Sequence, residues 1–170
     1  MKSYERIKNF STSVSAESSI GEIETMLTKF GATKIMKEFG PTGMPTVLVF
    51  AIPHPKGQGE VPIKLPMNAP GLMGIFKKLV SDRKLPRKYW GGEWAEQQAA
   101  RTGWRILKDW LDAQLALISI EMVKIHEVFL PYIYNHDTGR TLYETLEKRE
   151  FNLEQLDYKE KKPAALQGGI

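Results

Sequence analysis

Residues 93–118 read EWAEQQAARTGWRILKDWLDAQLALI, and their spacing decides the fold class. Ala100, Trp104, Leu107, Leu111, Leu115 and Ile118 recur every three or four residues. An α-helix turns once in about 3.6 residues, so these side chains form one apolar stripe. The stretch is predicted to be a long amphipathic helix from Glu93 to about Ile118. Trp94, a turn or so before the stripe, and Trp110, beside Leu111, are expected to widen the buried face. Gly103 interrupts the pattern. It either admits a close neighbour or costs about 1 kcal/mol relative to alanine.

Working outward toward the N-terminus, Tyr4–Val14 alternates loosely and predicts a first strand. Ser15 reads as the N-cap of a helix, with Ser18 where a capping box would place Glu. Ile20, Ile23, Met26, Leu27 and Phe30 give that helix one apolar face, and Gly31 suits a left-handed C-terminal residue. Lys34–Phe39 and Pro45–Ile52 are two β-rich runs flanking the turn Gly40-Pro41-Thr42-Gly43, which predicts a hairpin. Val61, Ile63 and Leu65 then alternate with Pro62, Lys64 and Pro66. Prolines cannot donate to a ladder, so this segment is an edge strand or an extended stretch. The first 67 residues therefore read β-α-β-β-β, a small antiparallel sheet with a packed helix.

Toward the C-terminus, Leu72–Val80 predicts a short helix and residues 82–92 a loop. Val123–Tyr134 is apolar and aromatic, broken by Pro131. Within it, the run from Val128 to Tyr134 is either a core strand or the edge of a homo-oligomer. Asn135–Gly139 predicts a turn and Thr141–Phe151 a final short helix. The expected class is thus α+β, with a helical half built on the long helix. Residues 1–151 form one expected domain, sheet-rich over 1–67 and helix-rich over 68–151. Residues 152–170 are expected to be a polar, mobile tail unless Leu153 and Leu156 dock.

The totals narrow the function classes. The chain has 170 residues, 42% apolar and 26% charged, which suits one ordinary core. No apolar run approaches the roughly 18–20 residues of a membrane span, and with residues 1–10 polar and lacking an apolar h-region no secretory signal is expected. With no cysteine, disulfides, thiolate chemistry and the usual zinc knuckles are excluded, which fits a cytoplasmic setting. A net charge of +4 leaves nucleic acid or an acidic protein as partners.

Catalytic signals are sparse. His54, His126 and His136 form no His-x-x-x-His pair and no ligand cluster with carboxylates, so no metal is expected. His126-Glu127 are neighbours that point in different directions, and His136-Asp137 sits in a turn. The serines at 11, 13, 15, 18 and 19 suit capping and turn duties. No Gly-x-Ser-x-Gly elbow and no phosphate loop is present, and no cofactor is implied.

Basic residues are more suggestive. Lys77, Lys78, Arg83, Lys84, Arg87 and Lys88 face a single acid, Asp82, and Tyr89 and Trp90 follow at once. Cations meet phosphates and rings stack on bases, the combination used to hold a single strand. On the long helix, Gln97, Arg101, Arg105 and Lys108 lie on a face away from the tryptophan stripe. Were this face beside the basic loop, the two would merge into one cationic surface. Against that stand the i,i+4 pairs Arg105–Asp109 and Lys108–Asp112, which stabilise a helix without any ligand. Trp90 is equally suited to a place in the core.

The segment from Glu96 to Ile118 resembles a recurrent family of small uncharacterised proteins in tailed-phage, prophage and environmental viral genomes. The same family pattern includes Gly31-Ala32 before Lys34-Ile35-Met36, then Trp104–Trp110, Leu130-Pro131-Tyr132 and Gly139–Tyr143. The likeness runs from about Phe10 to Phe151. Gly103 departs from it, standing where a small helix-former such as Ala is expected. The resemblance implies a phage-type origin and life in the cytoplasm of an infected bacterium, and it brings no activity. The expectation is a non-enzymatic accessory protein that binds single-stranded nucleic acid without reading sequence. Its alternatives are a modulator that binds an acidic host protein and an enzyme acting on nucleotides or nucleic acid.

Overall fold

The computed structural model describes residues 7–57 and 59–152. Helix α1 (Ala16–Lys29) leads into a sheet of β1 (Lys34–Phe39), β2 (Pro45–Pro53) and β3 (Glu60–Lys64). Helix α2 (Ala69–Ser81), a 3-10 turn (Arg87–Tyr89) and helix α3 (Glu93–Ser119) follow. The chain closes with α4 (Ile125–Phe129), a second 3-10 turn (Leu130–Tyr132), the short strands β4 (Tyr134–Asn135) and β5 (Arg140–Thr141), and α5 (Leu142–Lys148). The architecture is α+β, as the periodicities require, and α3 is its 27-residue axis.

Local chemistry explains the boundaries. The Ser15 hydroxyl accepts from the Ser18 amide at 3.0 Å and starts α1. Gly31 ends it with φ +89°, a conformation that a side chain would strain. Strands β1 and β2 pair antiparallel around the Gly40–Gly43 turn, with Lys34 opposite Ala51 and Met36 opposite Val49. Strand β3 lies at the sheet's edge, where Pro62 is tolerated, and Ile63 bridges on to Ile133. Thr141 caps α5 in a reciprocal box with Glu144, an arrangement that satisfies two otherwise free amides.

Leu48, Phe50 and Ile52 of β2 point to the same side of the sheet, as alternation demands. There they meet Ile20, Ile23 and Leu27 of α1 and Trp104, Leu107, Leu111 and Leu115 of α3. Both the sheet-rich and the helix-rich segments therefore feed one core. Trp104 is wholly buried, and its indole N–H donates to the Pro45 carbonyl at 3.1 Å, so no polar atom is stranded. Gly103 is a close-approach residue. A Cβ there would lie 2.6 Å from Met67 Cε and 3.0 Å from Leu72 Cδ1, so the missing side chain seats α2 and its leader against α3. A smaller cluster gathers Phe76, Tyr89 and Ala99 with Ile7, Phe10, Leu72 and Leu85.

Three expectations are corrected. No strand forms over residues 7–14. The Gln98 amide takes the carbonyls of Phe10 and Thr12, and the Thr102 hydroxyl takes that of Asn9, so this segment is pinned along α3 by side chains. Tyr4–Arg6 of that expected strand, and the tail from Leu153 on, lie outside the described residues. The run from Val128 to Tyr134 is not a core strand: it finishes α4 and forms a 3-10 turn, with only Tyr134 in a strand. Pro131 fits the start of a 3-10 turn and would deny a central strand its amide. Trp94 does not widen the buried face, because it stands 40% exposed in the first turn of α3. Among the described residues no helix is long and apolar enough to cross a membrane.

Candidate functional site

The basic segment is held by an aromatic anchor. Tyr89 ends the 3-10 turn and is only 5% exposed, packed edge-to-face on Phe76 at 5.2 Å and on Trp94 at 5.0 Å. Phe10 closes the cluster at 6.1 Å. Burial pushes the Tyr89 phenol above its ordinary range. A ring so enclosed has no free face for a base, so Tyr89 fixes the segment instead of stacking.

With that anchor in place, the cations around it point outward. Lys77 and Lys78 lie on the exposed side of α2, and Arg83, Lys84, Arg87 and Lys88 are exposed between α2 and α3. Arg83 takes φ +56°, and the Lys84 and Leu85 amides both return to the Leu79 carbonyl, so the connection is a tight reversal. Lys77, Lys78, Arg83 and Arg87 form no ion pair with any described residue. Lys88 Nζ sits 4.5 Å over the Trp94 ring, a cation–π contact that holds ammonium and indole together. Trp90, 45% exposed, flanks the same turn. Trp90 and Trp94 thus supply the accessible rings. Spacing alone assigns Trp94 to the buried face and misses its exposure at this site.

The α3 face is a different environment. Arg105 bonds Glu22 of α1 at 3.0 and 3.3 Å and lies 3.9 Å from Asp109. Lys108 reaches Asp112 at 3.3 Å, Glu22 at 3.7 Å and Asp109 at 4.0 Å. Asp109 also accepts from Lys8 and Asn9. Burial raises the Asp109 pKa, but the Lys8 and Asn9 hydrogen bonds and the charges of Lys8 and Arg105 outweigh it and hold the carboxyl below its ordinary range. Arg101, half-buried a turn earlier, has no ion pair among the described residues. The two sets do not merge. Trp94 and Arg105 stand eleven positions apart along α3, about 16 Å at roughly 1.5 Å per residue.

The residues considered for catalysis make local structural contacts, and His126 lies against the residue before His54. His54 Nδ1 accepts from the Lys56 amide at 3.2 Å within its own turn, and His126 Nε2 lies 3.4 Å from the Pro53 carbonyl. Glu127 takes the Lys124 amide, and Asp137 lies in the turn closed by Asn135. His136 packs on Tyr134 and lines a shallow cavity over the outer face of the sheet with Lys34, Met36 and Glu60. Lys34 donates to Glu60 at 2.6 Å there, and that bond lowers the Glu60 pKa. Among the described residues no three histidine or carboxylate side chains are grouped to hold a metal ion. Of the serines at 11, 13, 15, 18 and 19, Ser15 caps α1 through its hydroxyl, while the Ser19 hydroxyl is buried with no hydrogen-bond partner.

No family model, curated protein or solved structure matches the chain.

Proposed function

We propose that this is a phage-type accessory protein, at work in the bacterial cytoplasm, that binds single-stranded nucleic acid through the segment joining α2 to α3. One observation carries the reading: Lys77, Lys78, Arg83 and Arg87 are exposed and unpaired among the described residues, beside the accessible rings of Trp90 and Trp94. Unpaired cations release counterions when they meet phosphates, and indole faces offer stacking worth about 1–3 kcal/mol per base. Tyr89 serves as the anchor, and Arg105 and Lys108 serve the α1–α3 contact. Arg101 is the one helix-face cation retained. Sequence readout is not expected, because none of the described elements has the geometry of a groove reader.

The test is a fluorescence-anisotropy titration of labelled single- and double-stranded oligonucleotides at two salt concentrations. The charge-reversed Arg83/Lys84/Arg87/Lys88 variant runs alongside. Micromolar or tighter binding to single strands that weakens steeply with salt and disappears in the variant is the expected result. No binding at low salt would sink the proposal. It would move attention to the alternative, an acidic host protein recognised by the same cations.

A further inference from the structure

The geometry points to a second binding site, unrelated to the basic segment, that takes a small cationic amphiphile: an apolar body bearing an amine. Two clefts adjoin along the β3–α2 connection and share Pro66, Met67, Asn68 and Tyr132 as lining. The apolar one, an open cleft of about 330 Å³, is walled by Leu72, Ile106, Leu107 and Trp110. Gly103 lines it too, and Met67 and Leu72 take the space its missing side chain leaves. That volume is at the lower end of the range of small-ligand pockets. The more polar one, about 470 Å³, adds Lys64 and the α5 residues Thr141, Tyr143, Glu144 and Glu147.

Charge selects the ligand. Neither Glu144 nor Glu147 has a cationic partner among the described residues. Lys64 lines the same cleft, yet its ammonium rests 5.5 Å over the Tyr134 ring and forms no ion pair with them. Glu144 accepts from the Thr141 amide at 2.8 Å, which orients it, while exposed Glu147 lies 3.4 Å from the Tyr143 hydroxyl, and both keep lone pairs over. An amine there would meet two carboxylates while its carbon skeleton lies in the apolar cleft. A carboxylate of the same skeleton would meet repulsion. The Trp110 indole N–H and the Tyr132 hydroxyl, with no hydrogen-bond partner among the described residues, border the path between.

The experiment uses 4-phenylbutylamine and 4-phenylbutyrate as probes on the full chain. Binding is followed by the NMR shift of the Trp110 indole N–H, assigned with Trp110→Phe. The amine is expected to bind at least about tenfold tighter than the acid, as charge-assisted hydrogen bonds imply. The double variant Glu144→Gln/Glu147→Gln should bring the two probes to parity, while glutamine preserves the helix cap. Ile106→Trp should fill the apolar cleft and abolish binding, with folding checked by circular dichroism and the unfolding midpoint. Should that variant not fold, the glutamine pair decides alone. Equal binding of amine and acid overturns the assignment, as does a silent Trp110 signal up to the solubility limit. So does retention of amine preference in the glutamine variant. None of these outcomes depends on nucleic-acid binding.

Discussion

Arg105 and Lys108 meet the carboxylates of Glu22, Asp109 and Asp112 at 3.0–4.0 Å, whereas Lys77, Lys78, Arg83 and Arg87 meet none among the described residues. The first group sits where α1 packs on α3, and its charges are spent between elements. The second flanks a reversal anchored inward by Tyr89 and Leu85. In sequence the helix group differs by its i,i+4 acids, Asp109 and Asp112. The structure adds a third carboxylate from more than eighty positions away, Glu22, which no helix-spacing rule connects to Arg105. A basic face is a binding surface only after its acids have been located in space.

The comparison can be broken most sharply at Tyr89. If its ring is an anchor, Tyr89→Ala should cost about 3 kcal/mol in urea unfolding, the usual loss for a buried aromatic. A variant of wild-type stability that has lost only oligonucleotide affinity would reinstate Tyr89 as a stacking residue.

The next largest effect belongs to Asp109, which is 24% exposed and bonded to Lys8 and Asn9. Asp109→Asn should lose about 1–2 kcal/mol at neutral pH. Because the folded-state pKa is depressed, the unfolded chain binds more protons as pH falls. The Asp109 contribution is therefore complete above the unfolded value of about 4 and disappears as pH drops through the folded value. Stability curves of wild type and variant should converge in acid. Curves that stay parallel would remove Asp109 from the account.

Ser19, on α1, offers a gain. Its buried hydroxyl has no partner, so Ser19→Ala should raise stability by about 1 kcal/mol. A loss on calorimetry would mean that the hydroxyl is satisfied in solution. The smallest effect is that of Glu22→Gln, about 0.5 kcal/mol, since Glu22 is 41% exposed and water screens its pairs. That substitution should also let Arg105 and Lys108 begin to attract polyanions, measurable as a rise in salt-sensitive heparin retention. Unchanged retention would show that Asp109 and Asp112 suffice to neutralise the face.

The sequence was most legible where one local rule acts alone. The stripe from Ala100 to Ile118 set α3, Ser15 and Gly31 bounded α1, and the Gly40–Gly43 turn placed the hairpin. It misled where a distant group overrode local preference. Residues 7–14 alternate like a strand, but Gln98 and Thr102 claim their carbonyls. Val128–Tyr134 has the composition of a strand, yet Pro131 and the helix before it give a different path. At the basic segment, the cations and Trp90 could be picked out by type. That Tyr89 is core and Trp94 is open depends on which ring the Phe10–Phe76 cluster accepts, and neighbouring aromatics in sequence do not encode that choice.

The measurement closest to the central claim compares two neutralised proteins for binding to one labelled single-stranded oligonucleotide. One carries Lys77→Gln, Lys78→Gln, Arg83→Gln and Arg87→Gln; the other carries Arg105→Gln and Lys108→Gln. The first should lose roughly a hundredfold in affinity at low salt, and its salt slope should fall by about 3, at ~0.7 per phosphate contact on a single strand. The second, corrected for any loss of folded protein, should bind within about twofold of wild type, since its cations already hold carboxylates. Equal losses in both, or a greater loss in the second, would contradict the account.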